Sequence, residues 1–413
     1  MSIYYRIKKC RICGNKDLKS IIDLKEQYIQ GSFIKKNSPK PYQKKIPLKL
    51  VLCSNCSLVQ LLHTTNKEIL YNNYWYESGI NLTMRDHLKN LVQFAVKIHK
   101  RVNTENIKVL DIGCNDGTLL NFYPKKYKKY GIDPSQIIEK IDKKKISTIR
   151  DFFPFQKSKN KKLKEKFDLI TSIAMFYDLD DPNLFVEKIK FHLKEKGIWI
   201  FELSYLIDML KMNSFDTICH EHLEYYSLKT IKYIFDKVGF KIIDLEFNDI
   251  YGGSFALTVS KRKSKYPKYS KIVEWLLAKE EKYKYNLPIT HLKFFKSVKQ
   301  HKKTLQDLLL NLFDMKKKVI GYGASTKGNV ILQYANLTSK DIKFIVDVNK
   351  DKNNKYTPGS LIKIVSEKEI KKYNPDYMLV LPWHFKNFIL QKEKNYLNQG
   401  GKLIFPLPDI EIV

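Results

Sequence analysis

The run His220-Glu221-His222 places a carboxylate between two imidazoles. Histidine gains and loses a proton near neutral pH, so such a segment is suited to removing a proton from a weakly acidic substrate. A helical zinc site is excluded, because it needs two His four residues apart around a Glu, and these two are only two apart. The run lies downstream of the apolar stretch 197–201, which predicts a strand. We therefore expect it near the carboxyl edge of a sheet, where α/β folds bind ligands.

Four of the six cysteines form two Cys-x-x-Cys pairs, Cys10 with Cys13 and Cys53 with Cys56. Each pair can supply two thiolates from one tight turn, and four thiolates complete a tetrahedral zinc site. Such a site has no open coordination position, so the expected zinc is structural. Disulfides are the alternative, and they are disfavoured in the cytoplasm. We expect a cytoplasmic protein because the N-terminus lacks the apolar core of a signal peptide.

A second module begins with an apolar strand that runs into the loop Asp111-Ile-Gly-Cys-Asn-Asp-Gly117, and the next predicted strand ends at Asp133. Glycines let the backbone approach a nucleoside, and the acid can accept hydrogen bonds from ribose hydroxyls. A dinucleotide fingerprint would have glycine at Asn115, so the pattern favours S-adenosylmethionine, which has no pyrophosphate. The expected cofactor-binding residues, the last two of them beside the adenine, are Asp111, Gly113, Asn115, Asp116, Gly117, Asp133, Asp151 and Phe152.

A third module repeats the order of strand, glycine turn and helix over residues 317–330, and its second strand ends at Asp347. Ser325 and Thr326 fall at the predicted start of the helix, with Lys327 beside them. Free backbone amides at a helix N-terminus attract anions, so this segment predicts a phosphate site. The alternative is a Rossmann-like domain that serves packing alone.

The formal net charge of the 413-residue chain is +32, from 75 Lys and Arg against 43 Asp and Glu. Only six of the 75 are Arg, whose planar group is the usual reader of bases and phosphates, and the Lys are spread along the whole chain. We therefore expect a solvated Lys-rich surface that can attract an anionic small substrate, and no nucleic-acid partner. No apolar run is long enough to span a membrane.

In their order and spacing, these motifs resemble the three-domain, S-adenosylmethionine-dependent C-methyltransferases that act on nucleotide-linked 4-keto deoxyhexoses. The resemblance runs from Cys10 to the C-terminus and includes Leu58-Val-Gln60 and Tyr74-Trp-Tyr76. It implies an α/β fold of three parts. These are a small zinc-binding domain (1–75), a central class I methyltransferase domain of Rossmann-like topology that holds the His-Glu-His run (76–258), and a C-terminal Rossmann-like domain that contacts the nucleotide sugar (259–413).

The resemblance also implies roles for individual residues. His222 would be the base, Glu221 would bind substrate and Tyr76 would face the sugar, with a smaller effect expected from His220. A ketone at C-4 acidifies the hydrogen on C-3, and its removal gives an enolate whose carbon can attack a methyl group. The donor that stabilises the enolate oxygen stays open among His220, Tyr225 and the backbone amides of Gly252 and Gly253.

Three positions depart from the family pattern. Cys219 stands where Tyr usually precedes His-Glu-His, while Asp178 and Tyr251 stand where His is common. Together with Lys327, these residues are expected to contact the substrate, so the sugar is expected to differ from the amino and dideoxy sugars of antibiotic pathways. We interpret Cys219 as a buried residue that shapes the pocket rather than as a nucleophile.

Other functions also stay open at this stage. They are O-methylation of a sugar, methylation of a non-sugar metabolite, methylation of RNA, and a non-catalytic or oxidoreductase-like role for the Gly321-Tyr-Gly323 loop. A monomer is expected.

Overall fold

The first module is a small antiparallel structure built around the two cysteine pairs. The computed structural model describes residues 2–38, 43–71, 74–100, 106–154, 163 and 165–413. In β2 and β3, several buried positions alternate with partly buried or exposed ones, as expected when one face of a sheet is covered. Strands β2, β3 and β4 are hydrogen-bonded neighbours, and β1 pairs with β5. The strands are β1 (Tyr4–Arg6), β2 (Leu18–Gln27), β3 (Ile46–Cys53), β4 (Val59–Leu61) and β5 (His63–Thr65).

The second module is a seven-stranded sheet in the order β12-β13-β10-β9-β6-β7-β8. The five strands from β10 to β8 are parallel, and β13 is antiparallel to both of its neighbours. The central strands β9 and β10 are almost wholly buried because helices cover both faces of the sheet. The elements are α1 (Lys67–Tyr71), α2 (Leu82–Lys100), β6 (Lys108–Ile112), α3 (Thr118–Phe122), β7 (Lys128–Ile132), β8 (Ser147–Ile149), β9 (Phe167–Ile173), α4 (Pro182–His192), β10 (Leu193–Ser204), α5 (Leu206–Lys211), β11 (Glu224–Tyr225), α6 (Leu228–Val238), β12 (Phe240–Asn248) and β13 (Ser254–Lys261).

The third module follows two long helices and is a six-stranded sheet in the order β16-β15-β14-β17-β18-β19, parallel except for β19. Pro288 begins the second long helix, at a position that needs no backbone N–H. The elements are α7 (Ser270–Tyr283), α8 (Pro288–Asp314), β14 (Val319–Tyr322), α9 (Thr326–Tyr334), β15 (Ile345–Val346), β16 (Ile364–Val365), α10 (Lys368–Tyr373), β17 (Tyr377–Val380), α11 (Lys386–Lys392), α12 (Lys394–Asn398), β18 (Lys402–Phe405) and β19 (Glu411–Ile412).

The architecture confirms the predicted α/β class and the order of the three modules. The expected boundary at residue 258 falls inside β13, which continues to Lys261. One hydrophobic core contains residues of all three modules, so they pack as a continuous body. Among the described residues, no helix combines the length and the apolar character needed to cross a membrane.

The first two modules also share a sheet. The short strand β11 lies directly after the His-Glu-His run and pairs with β4, which makes it the fourth strand of the cysteine-bearing sheet. Leu61 N donates to the carbonyl of Leu223 at 2.8 Å and extends this contact. The His-Glu-His run is therefore held by the first module as well as by the second.

Candidate active site

A cavity of about 540 Å³ opens where the three modules meet. The second module contributes the loop after β6 and the Glu221-His222 pair, while the first contributes Gly31 and the third contributes the start of α9. This position is the carboxyl edge of the parallel strands β6, β7 and β9, where the sequence predicts a ligand. The space is of the size that small-molecule sites occupy.

The loop after β6 forms the expected cradle. Gly113 and Gly117 have φ values of +75° and +76°, which residues with a Cβ rarely adopt. The N–H of Gly113 donates to the carbonyl of Ile132 at 2.8 Å, so the loop folds back on β7. Burial raises the pKa of Asp111, the last acid of β6, to about 7.

Asp133 lies just after β7 and holds the loop from the other side. Its carboxylate accepts from the N–H of Asn115 at 2.9 Å and from the N–H of Ser135 at 2.8 Å, and burial raises its pKa. The hydroxyl of Ser135 also donates to the same oxygen as Ser135 N, at 2.5 Å, so capacity for a ribose hydroxyl remains at the other oxygen, Oδ2. Six of the eight expected cofactor residues line the cavity: Asp111, Gly113, Asn115, Asp133, Asp151 and Phe152. These residues fit S-adenosylmethionine.

The other two expected cofactor residues, Asp116 and Gly117, do not line the cavity. Asp116 accepts from the N–H groups of Gly79 and Thr118, at 2.8 and 3.1 Å, and so ties the loop to the segment 74–80. Asn115 does the same, because its side chain accepts from Ser78 N and donates to the carbonyl of Tyr76. These bonds place Tyr76 at the cavity, where it remains 40% exposed.

His222 lines the cavity in a fixed tautomer. Its Nδ1 lies 2.7 Å from the carbonyl of Thr217, and a carbonyl can only accept, so Nδ1 carries the proton. The lone pair is therefore on Nε2. Burial, helped by the charge of Lys327, lowers the pKa of His222 to about 3, so the ring is neutral at pH 7. Neutral imidazole is the form that can accept a proton.

Glu221 lines the same cavity and is only 7% exposed. Burial raises its pKa to about 7. Its carboxylate lies against Gly31 of the first module, where an added Cβ would fall 2.2 Å from Oε1. Sequence reasoning missed Gly31, because its role depends on a contact between modules.

His220 points away from the cavity, contrary to the expected catalytic contribution. Its N–H donates to Gln30 Oε1 at 3.2 Å, and its Nε2 lies 3.1 Å from the carbonyl of Ile46. Burial lowers its pKa to about 4.

Cys219 is also buried, and it does not line the cavity, which argues against contact with the substrate. Burial raises the pKa of its thiol, which argues against a nucleophilic role.

The other expected enolate donors are placed elsewhere as well. The phenol of Tyr225 donates to the carbonyl of Thr217 at 3.5 Å, outside the main cavity. The N–H groups of Gly252 and Gly253 donate to carbonyls within their own turn. The side chain of Tyr251 lies outside the described residues.

Two of the expected substrate residues do line the cavity. Asp178 accepts from the phenol of Tyr71 at 3.0 Å, and burial together with the charge of Glu221 raises its pKa. Lys327 lies in the first turn of α9 and is 9% exposed. Burial lowers its pKa, and the charge of the buried Asp216 carboxylate opposes this shift and favours the cation. Cavity-lining residues that sequence reasoning did not assign include Tyr71, Tyr74, Tyr177 and His384.

The four cysteines of the first module form one cluster. Their sulfur atoms all lie within 4.8 Å of one another, with Cys10 and Cys56 at 3.5 Å and Cys13 and Cys53 at 3.4 Å. A zinc ion with Zn–S bonds of about 2.3 Å needs sulfur–sulfur edges of about 3.8 Å, so the cluster fits a tetrahedral thiolate site. None of the six cysteines is in a disulfide, so the disulfide alternative to a zinc site does not hold.

Three family models match consecutive parts of the chain. A zinc binding domain matches residues 10–71, a methyltransferase domain matches 81–245, and a C-methyltransferase C-terminal domain matches 249–408. The chain belongs to the three-domain, S-adenosylmethionine-dependent C-methyltransferases. The C-methyltransferase NovU of Streptomyces niveus is 26% identical over 411 residues, which are 98% of this chain and 97% of that protein.

Two solved methyltransferase structures are similar to part of this C-methyltransferase. An S-adenosylmethionine-dependent methyltransferase of Clostridium acetobutylicum ATCC 824 is 16% identical and covers 42% of this chain and 92% of its own, with a TM-score of 0.34. A magnesium protoporphyrin IX methyltransferase of Synechocystis PCC 6803 is 13% identical and covers 47% of this chain and 92% of its own, with a TM-score of 0.35. The cofactors of this C-methyltransferase are S-adenosylmethionine and structural zinc, as the sequence predicts.

We expect Cys53→Ser in the C-methyltransferase to abolish zinc binding and to lower the yield of folded protein, because the metal holds together a module with a small core. Metal analysis and circular dichroism measure both effects. Cys114→Ser is the control, since this cysteine lies outside the cluster and should leave zinc content unchanged. Soluble, active protein without zinc would contradict the prediction.

We expect Asp133→Ala to weaken S-adenosylmethionine binding by about tenfold or more, because the variant loses a charged acceptor for the ribose hydroxyls. Calorimetry measures the affinity. Asp133→Asn separates that loss from damage to the loop, because its amide oxygen can still accept from Asn115 N. Unchanged affinity in Asp133→Ala would place the cofactor elsewhere.

Proposed function

We propose that this C-methyltransferase methylates a nucleotide-linked 4-keto sugar at C-3. The observation that carries the proposal is the shared cavity. It brings a neutral imidazole and a buried carboxyl group together with the glycine loop of the second module and the start of α9 in the third. A methyl donor and an anionic sugar can meet there.

His222 is the proposed base. The hydrogen on C-3 is acidic because the electrons of its bond can move to the C-4 ketone oxygen as the proton leaves. The proton passes to Nε2, since Nδ1 is already occupied by its bond to Thr217. Bound S-adenosylmethionine would supply an electrophilic methyl group, which would pass to the enolate carbon as its bond to the sulfonium sulfur breaks and the demethylated thioether leaves.

Lys327 is the proposed stabiliser of the enolate oxygen. It lines the cavity with His222, and its charge acts on that ring. A cation in a site with little water stabilises developing negative charge far more than it would in bulk solvent. This assignment fills the donor role that the sequence left open.

The sugar hydroxyls are proposed to contact Glu221, Asp178 and Tyr76. All three line the cavity. Glu221 and Asp178 are carboxyl groups that accept hydrogen bonds when ionised and can donate when protonated. Burial and the nearby charge of Glu221 both raise the pKa of Asp178, and this pair of carboxyl groups favours a neutral, hydroxyl-rich ligand at this end of the cavity.

The nucleotide phosphates are proposed to bind at the start of α9. Ser325, Thr326 and Lys352 line the cavity there, and the side chain of Ser325 caps the helix by accepting from Gly328 N at 2.9 Å. The remaining N–H groups of the first turn have no partner within the helix and favour an anion.

The test is incubation of the full-length protein with S-adenosylmethionine carrying a carbon-13 methyl group and a panel of nucleotide-linked 4-keto sugars. We expect one sugar to gain the mass of one methylene group and to show a methyl signal bonded to carbon. The same sugars reduced to the alcohol at C-4 are the control and should not react. A methyl signal bonded to oxygen would establish O-methylation instead, and no reaction with any sugar would contradict the proposal.

A further inference from the structure

Arg11 links the zinc cluster to the neighbouring strand. It lies between Cys10 and Cys13, and its side chain is only 4% exposed. Its Nη1 donates to the carbonyl of Leu61 at 2.8 Å, and its Nη2 donates to Thr64 Oγ1 at 2.6 Å. The guanidinium group is thus fixed by several bonds of defined direction, as this planar cation allows.

Glu224 lies on the other side of the same guanidinium. Arg11 Nε is 3.5 Å from Glu224 Oε1, and the Glu224 side chain is fully buried. Glu224 pairs directly with Gln60 across β11 and β4, and Gln60 Oε1 accepts from both the backbone N and Nη1 of Arg11. The cation therefore joins two cross-strand partners.

His222 is only two residues before Glu224. His222 and Glu224 both line a small void of about 10 Å³, together with Thr217, whose carbonyl fixes the His222 ring. A shift of β11 therefore moves both the ring and the backbone that carries it.

We propose that Arg11 is a positioning residue for His222, acting from the zinc cluster through Glu224 and strand β11. The proposal rests on the proposed role of His222 as the base and is independent of which sugar is methylated. A buried ion pair that loses one partner leaves the other charge uncompensated, so the strand must shift or Glu224 must be protonated. A displacement of about 1 Å at a base is enough to slow proton transfer considerably.

The test compares zinc-loaded, full-length wild type with Arg11→Met. Zinc content and S-adenosylmethionine affinity should stay within about twofold of wild type, because neither site loses a ligand. We expect kcat to fall by about tenfold or more with little change in KM. The nitrogen-15 imidazole signals of His222, identified by their absence in His222→Ala, should lose the pattern of a single Nδ1-protonated tautomer.

Two further variants separate positioning from general damage. Arg11→Met/Glu224→Met leaves no unpaired charge and should recover part of the lost kcat and of the His222 signal. Lys49→Met is the matched control, because it breaks an ion pair of 3.1 Å with Asp23 in the same sheet, away from β11. It should leave the His222 signals unchanged.

Unchanged His222 signals in zinc-loaded Arg11→Met would overturn the proposal, whether or not a substrate has been found. If Arg11→Met fails to retain zinc, the same comparison is made with Glu224→Gln, which breaks the ion pair from the side of β11 and changes no residue of the zinc cluster. A wild-type His222 signal in that variant would also overturn it. Failure of every sugar to react would count against the proposed function alone, since the imidazole signals need no substrate.

Discussion

His222→Ala is expected to lower kcat by ~10²-fold or more while S-adenosylmethionine affinity stays near that of wild type. The variant removes the cavity-lining imidazole whose Nε2 carries the free lone pair, because its Nδ1 donates to the carbonyl of Thr217. The cofactor loop lies on other strands and keeps its geometry. Single-turnover kinetics and calorimetry measure the two quantities separately.

A solvent-exchange experiment tests the same step without methyl transfer. With the sugar bound and S-adenosylmethionine replaced by its demethylated product, wild type should exchange the C-3 hydrogen for deuterium and His222→Ala should not. His220→Ala is the matched control. This variant loses the contact between His220 and the carbonyl of Ile46, so its melting temperature should fall. Its rate of C-3 hydrogen exchange should decrease only slightly. Exchange that survives in His222→Ala would assign the base to another group, with Glu221 the first candidate.

Glu221→Gln is expected to reduce kcat/KM by roughly 10²-fold at neutral pH and to change its pH dependence. Burial raises the pKa of this carboxyl to about 7, so it is protonated below that pH and ionised above it. Only the ionised form can accept hydrogen bonds from sugar hydroxyls at both of its oxygens. Wild-type kcat/KM should therefore rise as the pH increases through 7.

The variant should lose this rise, because glutamine does not titrate. The pH profile of kcat/KM, measured from pH 5.5 to 8.5, shows the difference. His222 adds no pH dependence to kcat/KM in that range, since its pKa of about 3 leaves the ring neutral throughout. Asp208→Asn, which removes a partly buried carboxyl group outside the cavity, serves as the control and should keep the rise. A rise that persists in Glu221→Gln would assign the titration to another residue.

Local sequence patterns were sufficient for the parts of the fold that local physics determines. The cysteine spacing predicts the zinc cluster, and strand, glycine loop and acid predict the cofactor module with six of its eight expected residues at the cavity. The third module is predicted by the same pattern. Each of these signals lies within one stretch of chain, so no long-range contact is needed to read it.

The direction of side chains in the His-Glu-His run could not be read in that way. Residues two apart share a face only in an extended strand, whereas here His222 N donates to the carbonyl of Cys219 and the chain turns. His220 is thereby directed to the first module and His222 to the cavity. The pKa of Glu221 was equally inaccessible, because its shift comes from burial beneath Gly31 and the neighbouring modules.

Strand β11 completes the sheet of the first module but is synthesised with the second, so the first module cannot finish folding until β11 has been made. The zinc module leaves the ribosome before the second module does, but β4 keeps an unpaired edge until Glu224 and Tyr225 have been made. By then the strands β6 to β10 of the next module have already emerged. An open strand edge is a template for wrong pairing, and contacts between distant parts of the chain form slowly. The pairing of β11 with β4 closes this edge and also positions His222. A nascent chain that stalls before β11 therefore exposes an unpaired strand edge and lacks a positioned His222.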